Sequence, residues 1–406
     1  MSEIDLYIDE IPTRILDHQD VSLCSALFAR NEFFSRPIAR SHPTARKCLK
    51  EVYDGDQGSY QYFYARAEIV RERLAIQGYT RSQIAAMWEK AREDYVEHLA
   101  SVFEPDPVFL EISFDDWKAT IQARARAMFE GGDVPHPGIR LEEIGQWGPF
   151  WDPIAQLALQ LDALQPASVW VDISNAFHEH GFDPSLSLLE NLEAEAMPYG
   201  ADVTDSAAII VLTEGKTDQR LISAAMEAFF PEYAEAYQFM EFDEFRVEGG
   251  ASPLVKMVKA FAGIGIRGRI LAIFDNDAAG AEALMALNAI KLPKNLRAMM
   301  LPDLKLAEGY PTEGPEGLRR MDINGRACAI ELYLGRDSLL DEEGRLRPVR
   351  WTQFVERVKR YQGEVVGKAL VADKFLQSLD SSPKALRRRY PEMAILLRTI
   401  FHAFKE

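Results

Sequence analysis

Short apolar runs that stop at acidic residues alternate with helical spacing through the second half of the chain. Residues 207–212 (AAIIVL), 269–274 (RILAIF) and 297–301 (RAMML) are three such runs. Unbroken apolar runs of this length predict strands buried on both faces of a parallel sheet. Between them, residues 218–229, 253–262 and 279–289 carry apolar side chains at helical spacing, and 245–247 reads as a short strand ending in Glu248-Gly249-Gly250. Strand–helix alternation predicts a small, doubly wound parallel α/β domain over residues 205–335.

The pattern on either side is different. Residues 1–200 predict a mainly helical N-terminal domain suited to interaction or dimerisation. Its helices are expected at 61–77, 80–100, 114–129, 154–164 and 185–195, with a strand at 168–173. Gly78 ends the first helix and Thr80 is a candidate N-cap for the second. Dense Gly and Pro over 131–153 predict a loop or partner-facing segment. Residues 345–406 are expected to form a basic helical region. From Arg347 onward the chain holds 13 Lys and Arg against 6 Asp and Glu.

That bias is notable because the whole chain of 406 residues carries a net charge of −17, which excludes a uniformly basic nucleic-acid binder. A basic end can face a polyanion, or can simply balance an acidic neighbour. The cysteines Cys24, Cys48 and Cys328 show no C-x-x-C spacing, which fits a reducing compartment and gives no zinc site. The start MSEIDLYIDE lacks the form of a signal peptide. No apolar run approaches the ~18 residues that span a bilayer. A cytoplasmic protein with no membrane partner is expected.

Candidate chemistry gathers where the apolar runs end. The first run leads into LTEGKTD, with Glu214 and Asp218, and the second into FDNDAAG, with Asp275 and Asp277. Ligands of open α/β sheets bind beyond the carboxyl ends of the strands. Several carboxylates converging there suit Mg²⁺ or Mn²⁺, hard cations that take oxygen ligands. Glu214 can serve as a ligand or as a general acid/base. An isolated D-x-D is otherwise a turn or a helix cap. Lys216 can meet a phosphate as a point charge. Gly249, Gly250 and Ser252 precede a helix whose free N–H groups suit an anion, and Ser252 is a candidate N-cap. His178 and His180 (HEH) have no third ligand nearby in sequence, which favours a loop or strand over a metal site.

The two acidic segments together resemble the Toprim domain of topoisomerases, primases and certain nucleases, in which a Glu and an Asp-x-Asp pair handle phosphodiesters through a divalent metal. MDINGRACAIELYL resembles the Toprim portion of overcoming-lysogenisation-defect (OLD) nucleases. That likeness implies Glu331 as a further acidic residue of a two-metal cluster and Lys368 as a catalytic lysine. Ala329 stands where those nucleases often have Ser. The order of helix-rich region, LTEGKTD, FDNDAAG, LPDLKLAEGYPT and IELYLG is similar to bacterial HEPN/Toprim-associated proteins. This likeness implies a Mg²⁺- or Mn²⁺-dependent nuclease acting on DNA or RNA, in defence against phages or mobile elements. It also implies a possible partner defence subunit or a homo-oligomer. HEPN ribonucleases use an Arg-x4–6-His dyad, to which Arg36…His42 and Arg92…His98 correspond in spacing. The competing functions are a nucleic-acid- or phage-protein-sensing binder with a regulated or inactive Toprim site, and a HEPN-type ribonuclease. A topoisomerase or primase would need a cleavage tyrosine or a nucleotide-binding apparatus, and no motif for either is evident.

Overall fold

Strand β6 (Ile209–Leu212) is the centre of the second half of the chain. In the computed structural model, which describes residues 5–12, 27–53, 58–100, 112–119, 122, 153–174, 208–240, 248–266, 268–315 and 317–405, the chain divides into two compact units at Ser206/Ala207. Both combine α and β structure. Among the described residues no helix is long and apolar enough to cross a membrane.

The N-terminal unit is built on an antiparallel sheet where a mainly helical domain was expected. Strands β1 (Asp5–Ile8), β2 (Ile11–Pro12), β3 (Phe33–Pro37), β4 (Ser59–Arg66) and β5 (Ser168–Asp172) lie in the order β2-β1-β5-β4-β3. One face, with Leu6, Phe63, Val169 and Val171, packs against Val70, Leu74, Trp88 and Leu157 from the helices Ala67–Ile76, Arg81–Ala100 and Pro153–Leu164. The other, with Tyr7, Tyr60, Tyr62 and Trp170, packs against Ala45, Cys48 and Leu49 from the helix Pro43–Val52. The helix expected over 61–77 therefore starts as strand β4 and turns helical only at Ala67. Because β4 is buried on both faces, it lacks the apolar/polar alternation of a one-sided strand. The expected helix 185–195, most of 114–129, the strand 245–247, and His178 and His180 lie outside the described residues.

In the C-terminal unit, β6 is joined by β7 (Tyr237–Phe239), β8 (Ile270–Phe274) and β10 (Leu296–Met300) in a sheet ordered β10-β8-β6-β7. Every pairing is parallel, with Ile210 beside Ile270 and Leu212 beside Ala272. The chain leaves β6 toward β7 on one side and then crosses to β8 on the other. The reversal of direction thus falls between β6 and β8, where open α/β sheets form their crevice. Helices Lys216–Phe229, Ala251–Ile264 and Ala278–Asn288 cover the sheet.

Residues 347–404 belong to this unit and are only partly helical. Strand β9 (Asn276–Asp277) pairs with β13 (Ala327–Cys328), while β11 (Tyr310–Gly314), β12 (Gly317–Met321), β14 (Val349–Val355) and β15 (Arg360–Val365) form a sheet ordered β12-β11-β14-β15. Three helices follow: Lys368–Gln377, Pro383–Arg389 and Pro391–His402. They pack on the helix after β6. Phe229 lies 6.4 Å from Phe375 and 6.0 Å from Tyr390, and Phe230 lies 5.2 Å from Phe401, as ring centroids. The separate basic region expected after residue 345 is in this respect part of the α/β body.

Candidate active site

The site grows from two abrupt strand ends. Beyond Leu212, Thr213 bonds the Gly215 carbonyl through its hydroxyl, and Gly215 becomes the N-cap of the helix Lys216–Phe229. The Asp218 carboxylate accepts the Gly215 N–H, half of a capping-box arrangement that also suits the positive end of the helix. Beyond Phe274, the Asp275 N–H donates to Glu214 Oε1 at 3.0 Å, so each strand end fixes the other.

Gly280 makes the second turn possible. A Cβ there would fall 2.1 Å from the Asp275 carbonyl oxygen. Asp277 caps the helix Ala278–Asn288, with Gly280 N–H donating to Oδ1 at 2.7 Å. Its other oxygen, Oδ2, accepts from Gln362 Nε2 on β15 at 2.7 Å. The cap reading and the site reading of Asp277 thus describe one geometry. Asn276 between the two aspartates is buried and ties β9 to its surroundings through Asp303 Oδ1 at 2.8 Å and the Gly325 N–H at 2.7 Å. Asp275 Oδ1 accepts the Ile330 N–H at 3.2 Å, which brings in the short helix Ile330–Tyr333 and with it Glu331. A small cleft lined by Thr213, Asp218, Phe274, Asp275, Leu301 and Ile330 opens beside these groups.

Five carboxylates are therefore close enough to perturb one another. Burial, then the charge of Asp277, pushes Glu214 up to about 8. Burial, then Glu331, pushes Asp218 up to about 7. Burial holds Asp277 at about 6, with Gly280 and Ala279 N–H bonds opposing and Glu364 adding to the rise. Asp275 lies well above the ordinary carboxylate range, first through burial and then through Asp218, Glu214, Asp277 and Glu331. Burial raises Glu331 too, against its own backbone hydrogen bond and the charge of Lys368.

Lys368 opens the helix Lys368–Gln377 and pairs with Glu364 at 3.0 Å. Burial alone would lower its pKa; the hydrogen bond and charge of Glu364, with Glu331 and Asp275, raise it on balance. The lysine implied by the OLD likeness therefore stands within electrostatic reach of the cluster.

A cluster of five carboxylates with one nearby lysine has the donor chemistry of a divalent-cation site. Among the described residues, however, no group of three or more His, Cys, Asp and Glu side chains is already gathered to hold an ion. The donor chemistry fits such an ion.

The candidate phosphate groups are placed less simply. Gly249 packs on the turn after β6, where a Cβ would lie 3.0 Å from the Glu214 carbonyl. Gly250 donates its N–H to that same oxygen at 2.5 Å, so it is not free for an anion. Gly250, rather than Ser252, is the N-cap, and Ser252 is an exposed residue of the first turn. Lys216 is exposed in the first turn of its helix.

The Arg-x-His spacings belong to the N-terminal unit. Arg36 lies on β3 over the Phe34 ring, and His42 precedes the helix Pro43–Val52, stacked on Tyr64 at 3.9 Å. Burial, then the Arg36 charge, lowers the His42 pKa. A strand and a helix start thus present this pair, not a helical bundle. Arg92 bonds Glu89 on its own helix, and the His98 side chain lies outside the description.

Sequence reasoning missed Gln362 and Glu364, which reach the site from a strand 85 residues beyond Asp277. The available signal was the period-two run RYQGEV, in which Arg360, Gln362 and Glu364 share a face. Comparison of the chain with protein-family models, curated proteins and solved structures gives no match.

Proposed function

We propose that the protein is a divalent-metal-dependent nuclease of the Toprim type, hydrolysing phosphodiester bonds of nucleic acid. The observation that carries this reading is the Asp275 N–H bond to Glu214 at the β6/β8 switch point, with Asp218, Asp277 and Glu331 around it. Bound Mg²⁺ or Mn²⁺ would neutralise phosphate charge and lower the pKa of an attacking water.

The chain's own residues divide the remaining work. Glu214, Asp275 and Asp277 hold the cation, with Asp218 and Glu331 as further oxygen donors. Asp277 is held by Gly280 and Gln362 and fixes the second strand end. Lys368 offsets negative charge on the phosphate from the Glu331 side of the cluster. The likeness to OLD and HEPN/Toprim-associated proteins supports a role in cytoplasmic defence against phages or mobile elements, with a partner subunit or a second copy as further components.

The test is cleavage of supercoiled plasmid, linear DNA and total tRNA with Mg²⁺ or Mn²⁺. The wild-type chain is expected to cut at least one of them, and Asp275→Asn and Glu214→Gln to lose the activity by about a thousandfold or more, the scale of a lost electrostatic group at a reacting centre. Undiminished cleavage by purified Asp275→Asn protein would falsify the reading.

A second reading keeps these residues as a regulated site that works only when a nucleic acid or phage protein is bound. Cleavage that appears only with such a trigger distinguishes it.

A further inference from the structure

The sheet β12-β11-β14-β15 has two unlike faces. Arg350 pairs in register with both Glu313 and Glu364, and Gln362 lies two residues from Glu364 on the same side. Since Gln362 bonds Asp277, this face looks toward the carboxylates.

The opposite face carries three aromatic rings. Trp351 pairs with Gly363 and Phe354 with Tyr361. A bulge between Trp351 and Gln353 restores Phe354 to the side of Trp351. Tyr361 sits 6.2 Å from Trp351 and 4.9 Å from Phe354, as ring centroids. Small residues form the floor: a Cβ on Gly363 would lie 3.1 Å from the indole, and one on Gly314 would lie 3.5 Å from it. Tyr361 is 57% exposed and Phe354 40%. An exposed aromatic cluster of this kind marks a binding surface more often than a stray surface residue does.

Cations lie on the same sheet and on its hairpin turn. Arg319 pairs with Thr312, which pairs with Val349, so its register position is on the Trp351 face. Arg357 and Lys359 occupy the turn of the β14–β15 hairpin. Their ion pairs, to Glu282 at 3.8 Å and to Glu356, are surface pairs that an incoming phosphate can displace. Against a chain of net charge −17, this basic and aromatic combination is complementary to a polyanion with flat rings. Bases already paired and stacked in a duplex cannot offer those rings, whereas unpaired bases can.

We propose that this face binds an unpaired stretch of nucleic acid, with Tyr361, Phe354 and Trp351 stacking on bases and Arg319, Arg357 and Lys359 meeting phosphates. The proposal rests on the nuclease reading for its polyanion and adds the strandedness of the substrate. Tyr361 and Gln362 are consecutive, on opposite faces of one strand, so the stacking face lies across the sheet from the carboxylate site.

The experiment uses the full chain in EDTA, which stops cleavage. Fluorescence anisotropy follows a labelled single-stranded DNA of about 20 nucleotides, longer than one stacking site requires, and the same sequence as a duplex. The single strand is expected to bind more tightly than the duplex. Phe354→Ala with Tyr361→Ala should weaken it by at least about tenfold, and Tyr361→Trp should retain binding. Circular dichroism verifies that each variant is folded. Unchanged affinity in the double variant, or equal affinity for duplex, overturns the proposal. So does a double variant that loses self-association but keeps the oligonucleotide, since the face then belongs to a second copy. Single-strand binding that needs these rings, with no cleavage by wild type under any metal, sinks the nuclease reading and leaves the surface standing. Metal-dependent cleavage with unchanged binding in the variant does the reverse.

Discussion

Asp277 carries two tasks with one carboxylate: Oδ1 caps a helix and Oδ2 is held by Gln362. Its backbone setting depends on Gly280, which has no room for a Cβ beside the Asp275 carbonyl. Gly280→Ala is expected to cost about 1–3 kcal/mol through overpacking, read by urea unfolding. A midpoint equal to wild type would mean the turn relaxes freely. Gln362 acts from further out. Removing a hydrogen-bond partner of a metal-holding carboxylate commonly weakens metal affinity by about 10–100-fold. Gln362→Ala should therefore lower Mn²⁺ affinity by calorimetry while leaving the fold intact, and Gln362→Glu should not restore it, because it places a second carboxylate against Asp277. At this scale the sequence revealed the residues that end an apolar run, Glu214 and Asp275. It hid those whose role depends on a contact across 85 residues. No local pattern marks such a contact.

Elements whose burial is two-sided or whose charge imitates another period were the hardest to read. Strand β4 passed for helix because its residues are buried on both faces, although its Tyr and Phe content favours a strand. The β14–β15 hairpin was hidden among basic residues that continue into real helices. The parallel strands β6, β8 and β10 were legible within one or two residues, since each is a plain apolar run between helical segments. The strand ends also set a pH dependence. Glu214, Asp218 and Asp277 have folded-state values of about 8, 7 and 6, above the ordinary carboxylate range. A group whose folded pKa is raised stabilises the fold below its unfolded pKa and loses that contribution as pH climbs through the folded value. Glu331 and Glu364 add to the repulsion, and Lys368 opposes it. The metal-free protein should therefore melt at lower temperature as pH rises from about 5 to about 8.5. Mg²⁺ or Mn²⁺ should raise the melting temperature more at the alkaline end. A flat profile, with or without metal, would show that the carboxylates do not repel one another as placed.

Over the whole molecule, the unit Ala207–Phe404 is larger than the domain expected at 205–335. Its C-terminal helices bury Phe375, Tyr390, Leu396 and Leu397, and Phe229 packs against both Phe375 and Tyr390. Losing four such side chains at about 2–5 kcal/mol each is as large as the ~5–15 kcal/mol that holds a domain together. A fragment covering residues 207–406 should melt cooperatively, whereas one ending at 335 should give no cooperative transition by circular dichroism. A folded, cooperative short fragment would restore the smaller domain. The boundary near residue 200 was legible from the change of pattern, while the one near 335 was not, because the packing that erases it joins helices far apart in sequence. The central claim is that the β6 and β8 ends hold a divalent cation, and anomalous scattering from crystals soaked in Mn²⁺ tests it most directly. A peak bonded to Glu214 and Asp275, with further oxygens from Asp218, Asp277 or Glu331, is the predicted result. Density for Mn²⁺ elsewhere on the protein with none at these carboxylates would contradict it.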